Sequence, residues 1–254
     1  MIVANRSSGG SGAMKIRSLG AAALSIVLLA GCAAANDDEA VTSSASASDA
    51  AGNGVAALPP AEIVGKALAA IRQTTSVHVK GRLVDDYRNV SLDITVAGAD
   101  ETGVLKTSKT TVELITVGGQ RYLRLDTASW IAMLGATKGE LTAQRASGRW
   151  IKLSAADRNF EDLYSVADVE ELLRYYDGFN KGPAGALDGQ PVISLTSPDV
   201  GGDTVYIATT GEPYPLKITS PKSGGTDIAF TEYGAAVAEI KTPPNAVDLA
   251  KVVS

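Results

Sequence analysis

Residues 76–97 read SVHVKGRLVDDYRNVSLDITVA, and their period decides the fold class. Val77, Val79 and Leu83 alternate with His78, Lys80 and Arg82; Leu92, Ile94 and Val96 alternate with Ser91, Asp93 and Thr95. Alternation puts the apolar side chains of a strand on one face, so these are half-buried antiparallel strands with one wet side. Outward along the chain the pattern recurs at TVELITVG (111–118), QRYLRLD (120–126) and RWIKL (149–153), more weakly at 102–107, with Gly118-Gly119 as a hairpin turn. After residue 185 it resumes through PVISLTS, DTVYIAT, PLKITS, TDIAFTE and AVAEIK, separated by Gly, Pro and Asp. With roughly ten or eleven strands, the fold class is α+β, built on one large curved antiparallel sheet.

Helices flank and interrupt the strands. Pro59-Pro60 opens AEIVGKALAAIRQ, in which Ile63, Ala67, Leu68 and Ile71 share a face, so a helix is expected to run to about Thr74. A helical insertion lies between the two groups of strands. Thr127 is read as the cap of ASWIAML, Phe160, Leu163 and Tyr164 fall on a short helical turn, and Ser165 with Asp168 is read as a capping box for VEELLRYYDG. In the last of these Val169, Leu172, Leu173 and Tyr176 form a stripe, and Gly178 suits the C-terminal cap.

The N-terminal 58 residues have a different character. Residues 1–13 lack apolar periodicity and are read as an extension that carries no fold information. From Met14 the chain reads MKIRSLGAAALSIVLLAGC, with Lys15 and Arg17 ahead of an uncharged stretch from Leu19 to Ala30, the layout of a signal peptide over 14–31. That stretch is too short for a membrane-spanning helix, which needs about 20 residues. Residues 32–58, rich in Ala, Ser, Gly and Asp, read as a tether reaching about 28 Å on average. The folded domain is expected over 59–254.

Composition excludes several classes of function. The chain has 254 residues, one Cys, one His and a formal charge of −5. Loss of residues 1–31 removes Arg6, Lys15 and Arg17 and no acid, leaving 20 bases against 28 acids and a charge of −8. An acidic body argues against nucleic acid as a partner and against adhesion to anionic lipid by charge. A lone Cys permits no intrachain disulfide, and a lone His no multi-His metal site. His78 alternates with Val77 and Val79 and so reads as a solvated strand residue rather than a base. The pairs Asp85-Asp86, Glu161-Asp162 and Glu170-Glu171 are adjacent in sequence, point to different faces and read as surface. Asp37, Asp38 and Glu39 read as a solvated acidic run. No G-x-S-x-G, S-x-x-K, P-loop or G-x-G-x-x-G motif occurs, so no enzyme activity, cofactor or metal is expected.

Two resemblances add to this reading. Leu29, Ala30, Gly31 and Cys32 resemble the lipobox of bacterial lipoproteins, which implies cleavage before Cys32 and attachment of diacylglycerol to its thiol. Two or more acyl chains anchor stably where one does not. The implied location is the outer face of the cell membrane. Ser76 to Gly81, the run Leu187-Asp188-Gly189-Gln190-Pro191-Val192-Ile193-Ser194-Leu195, Phe230 to Gly234 and Lys241 to Pro244 resemble the LppX/LprG-type lipoproteins of LolA-like fold, over about residues 60–245. That resemblance implies a half-barrel whose concave face, covered by the inserted helices, encloses an apolar cavity for acyl chains. The lining would come from Leu92, Ile94, Leu114, Leu123, Ile193 and Ile207 on strands and from Trp130, Met133, Leu134, Val169, Leu172 and Leu173 on helices. The expected function is binding of a lipid or lipoglycan, with carriage as its extension, and no chemistry. The alternative is a filled core in a sensor or accessory protein with a membrane-protein partner.

Overall fold

A computed structural model describes residues 52–84, 89–174, 178–198 and 202–253. Helix α1 spans Pro60–Gln73, as its apolar stripe and opening prolines require, and ends at Thr74. Five strands follow: β1 (Ser76–Val84), β2 (Asn89–Ala97), β3 (Asp100–Lys106), β4 (Thr111–Val117) and β5 (Gln120–Leu125). The insertion holds α2 (Thr127–Leu134), α3 (Ala136–Ala146), the short β6 (Ile151–Lys152), α4 (Glu161–Ala167) and α5 (Val169–Arg174). The chain then returns through β7 (Asn180–Leu187), β8 (Gln190–Thr196), β9 (Thr204–Ala208), β10 (Pro215–Thr219) and β11 (Asp227–Thr231), closing with β12 (Val247–Asp248) and α6 (Ala250–Val253).

All twelve strands form one sheet in the order β12-β6-β5-β4-β3-β2-β1-β11-β10-β9-β8-β7, antiparallel except for the β12–β6 pair. The α+β class and the large sheet are as expected. The sheet is open and uncurled, however, so the half-barrel curl is not found. Register carries one apolar face across the molecule: Val79 stands beside both Ile94 and Phe230, Leu114 beside Leu123, and Ile207 beside Ile193. The helices cover that face, with Ile63, Ala67 and Ile71 of α1, Trp130 of α2, Tyr164 of α4 and Leu172 of α5 in one core with the strands.

Several local expectations are corrected. Residues 236–241 form no strand, because β11 already pairs with β1 on one side and β10 on the other. Asp126, not Thr127, caps α2, its Oδ1 accepting from the Ser129 amide at 2.7 Å. Asp168 caps α5 alone, accepting from the Glu170 and Glu171 amides, while Ser165 lies inside α4. Strand β7 and helices α3 and α6 were not expected. Tyr176, Asp85 and Asp86 lie outside the described residues.

The boundary of the folded domain also moves. The residues given to the end of the tether are part of the fold: Gly52 bridges Thr210, the Asn53 amide donates to Thr209 O, and Val55 is buried to 2%. Val55 needs the core as much as any strand residue does, since burying a valine contributes about 1.5–3 kcal/mol. A chain starting at Pro59 is therefore expected to melt several degrees below one starting at Gly52. Equal melting temperatures in thermal unfolding would restore the boundary at Pro59.

Candidate functional site

The sheet has two ends. At one lie the two-residue turns Gly98-Ala99, Gly118-Gly119 and Asp188-Gly189, together with the C-terminus of α1. Gly118 and Gly119 have φ of 57° and 74°, the left-handed pair that a tight hairpin turn needs. Among the described residues, three clefts open at this end.

The first, of about 370 Å³, lies between α1, α5 and the β2–β3 turn. Its floor is apolar, from Ile71, Val77, Val96 and Val169, and joins the core. Its rim is charged. Arg72 at the end of α1 forks onto Glu170 at the start of α5, with Nη2 to Oε2 at 2.6 Å and Nε to Oε1 at 3.1 Å. Glu170, read from sequence as surface, is thus also an ion-pair partner that ties two helices together across the mouth. Arg121 stacks its guanidinium 4.7 Å from the centre of the Tyr164 ring, and the Tyr164 hydroxyl donates to Tyr122 O at 2.7 Å. Burial pushes the Tyr164 hydroxyl pKa well up, so the ring stays neutral.

Glu101 is the one carboxylate of this cleft carried on the apolar face of the sheet, beside Val96 and Thr116 in register. Thr116 Oγ1 donates to its Oε1 at 2.7 Å. Burial raises the Glu101 pKa, against the opposing pull of the Thr116 hydrogen bond and the Arg121 charge. A carboxylate raised on folding gives its full stability below its unfolded value, and that stability is lost as pH rises through the folded value. Glu101→Gln keeps an oxygen for Thr116 and removes the charge. It is expected to raise the melting temperature at about pH 7 and leave it unchanged at about pH 4. A loss at both pH values would mean that the charge itself is needed.

The residues expected to line a cavity are mostly buried. Ile94, Leu114 and Leu123 are 0% exposed, and Leu92, Ile193 and Ile207 nearly so. These side chains belong to one buried apolar cluster. Trp130, Val169, Leu172 and Leu173 are likewise buried, Leu134 is partly buried against them, and Met133 points outward at 38% exposure. Of the twelve, Val169 alone borders the 370 Å³ cleft. Sequence reading missed Arg72, Glu101, Arg121 and Tyr164. The signal was there for Glu101, a carboxylate at a position whose strand neighbours face inward.

On the opposite face of the sheet His78 Nε2 lies 2.8 Å from Asp93 Oδ1, and Lys80 Nζ lies 2.7 Å from Asp93 Oδ2. Hydrogen bonds from His78 and Lys80 hold the Asp93 carboxyl below its ordinary pKa. The three are cross-strand neighbours, since His78 stands beside Thr95 and Lys80 beside Asp93. Leu29, Ala30, Gly31 and Cys32 lie outside the described residues, within which no helix is long and apolar enough to cross a membrane.

No protein-family model matches the chain, and no curated protein sequence does. Among solved structures it is similar to LprF from Mycobacterium bovis, at 16% identity and a TM-score of 0.41, over 72% of this chain and 95% of that one. It is also similar to an uncharacterized conserved protein from Thermus thermophilus, at 11% identity and a TM-score of 0.38, over 74% and 96%. MucB, solved in complex with MucA, follows at 15% identity and a TM-score of 0.34, with this chain spanning 60% of its length. These are distant likenesses of fold, and nothing about ligand or partner passes from those proteins to this chain.

Proposed function

We propose that the protein is a membrane-anchored, extracytoplasmic binding protein for an amphiphile, which it takes up through the cleft between α1 and α5. The observation that carries this reading is the amphipathic build of the cleft, an apolar floor continuous with the core under a rim of charged side chains. A head group would rest against Arg121 and the carboxylates while an acyl chain enters between sheet and helices. Each buried methylene contributes about 0.8 kcal/mol, so a long chain could offset the cost of parting packed side chains. Arg72 and Glu170 close the mouth and would part as α5 moves. The anchor would be Cys32, lipidated after cleavage of the signal over residues 14–31, and the bilayer would be both support and lipid source.

The filled core favours a second reading. With Ile94, Leu114 and Leu123 wholly buried, the same fold serves as an accessory protein that binds a membrane or envelope partner and no lipid. The two are separated by native mass spectrometry and organic extraction of residues 52–254 exported without Cys32, for the wild type and Arg72→Ala. A discrete extractable mass, more abundant in Arg72→Ala, supports the amphiphile reading. Apo masses for both proteins after incubation with phospholipid vesicles overturn it in favour of the accessory one.

A further inference from the structure

The chain has seven asparagines, and only Asn53 is followed by glycine. Asn53 also fastens the strap of residues 52–58 to the sheet. Its Nδ2 donates to Ala208 O and to Gly211 O, each at 3.0 Å, and its Oδ1 accepts from the Val55 amide at 3.2 Å. The strap in turn walls a cleft of about 590 Å³, whose other sides come from α1 and the loop Gly211-Glu212-Pro213. We propose that Asn53 is a self-modifying clasp, in which cyclisation of Asn53 with Gly54 and loss of the side-chain amide, once the strap has lifted, trap the strap in its released state and hold that cleft open.

The chemistry needs a nucleophilic backbone nitrogen with room to turn. Gly54 has φ of 80°, nothing beyond its own chain neighbours lies within 4 Å of where its Cβ would be, and its N–H donates to no described residue. When the strap lifts, the Gly54 nitrogen loses its proton to solvent base and attacks Asn53 Cγ. The new Cγ–N bond forms, the Cγ–Nδ2 bond breaks, and Nδ2 takes up a proton and leaves as ammonia. Water then opens the five-membered imide at either carbonyl, giving aspartate or isoaspartate. No electrons are transferred, and water is the only co-reactant.

Geometry makes the product unable to close again. An aspartate at 53 has no donor for Ala208 O or Gly211 O and places a carboxylate against both, with Glu212 in the same cleft wall. An isoaspartate adds a backbone atom next to the Gly52–Thr210 bridge and shifts its register. While the strap is closed, both atoms of the Asn53 amide are held and the reaction is blocked. Each modified molecule is thus one whose strap has opened.

The test uses the full chain, kept folded at mildly alkaline pH and body temperature, with peptide mass spectrometry over time. The peptide containing residue 53 should become about one dalton heavier and split into two isomers, while those containing Asn180 and Asn245 stay unchanged. Asn53→Asp, made directly, should melt about 3–8 °C below the wild type, as expected for two carbonyls losing their donor. The proposal is overturned if residue 53 stays unmodified over a period that converts the same peptide once excised and unfolded. It is equally overturned if Asn53→Asp melts with the wild type.

Discussion

Trp130→Ala is expected to cost about 3–5 kcal/mol, lowering the melting temperature by roughly 10–15 °C. Trp130 is 1% exposed and sits on the first turns of α2, where it enters the core beneath the sheet. Its position is set by Asp126, whose Oδ1 accepts from both the amide and the hydroxyl of Ser129 and whose Oδ2 accepts from the Thr111 amide at 2.9 Å. The start of α2 is therefore locked to the start of β4, and the indole has little freedom to let the core collapse around a smaller side chain. The size of the loss separates two accounts of the sheet–helix interface. In a filled core the removed indole leaves a dry void, and the full transfer and cavity cost appears. In an interface already open to solvent, as a standing lipid cavity would be, the same truncation costs about 1 kcal/mol or less. Chemical denaturation with an unchanged slope would give the difference directly. The void should also bind small apolar molecules such as benzene, and the wild type should not.

The strands that alternate could be read from sequence because burial on one face imposes a period of two, and β1, β2, β4, β5, β8, β9, β10 and β11 all fall where that period runs. Strand β7, NKGPAGAL, was not legible: it is an edge strand with mostly exposed small residues, and its pairing to β8 rather than any burial pattern defines it. Residues 236–241 were the reverse case, an alternating pattern that follows a strand, β11, with no free edge left to pair. Helix α3 escaped notice because it packs through Gly139, Thr142 and Ala146, small residues that leave no apolar stripe. The cleft was the least legible part. Arg72 and Glu170 are 98 residues apart in sequence, and no local rule pairs an arginine closing one helix with a glutamate opening another. The twelve apolar positions chosen as a lining were mostly placed on inward faces, Met133 being the exception, but inward says nothing of whether the space they face is empty or filled.

Gly81→Ala is the substitution expected to damage the fold most for its size. Gly81 lies in β1, between Leu92 of β2 and Ile228 of β11. A Cβ there would stand 2.0 Å from Asp227 O and 2.6 Å from Ile228 Cα, with φ at 156°. Both neighbours are backbone, so no side chain can swing away, and the β1–β11 ladder itself would have to part. Among the described residues that ladder is the only join between the two halves of the sheet, one running from β1 to β12 and the other from β11 to β7. It is also a long-range contact, linking residues 82 or fewer to residues 227 or more, so its loop-closure cost must be met by good pairing at that seam. Overpacking of this kind costs about 1–3 kcal/mol in a side-chain core, and here, against fixed backbone, a loss of about 3–4 kcal/mol is expected. Gly185→Ala is the control: it lies in β7, has φ in the ordinary range and nothing within 4 Å of the added carbon, and should shift stability by no more than about 0.5 kcal/mol. Equal effects of the two in thermal unfolding would mean that β1 and β11 do not approach as described. The same argument gives a physical reason for the motif Ser76 to Gly81: the run must end in a residue without a side chain, because the backbone of β11, paired beside it, leaves no room for a Cβ.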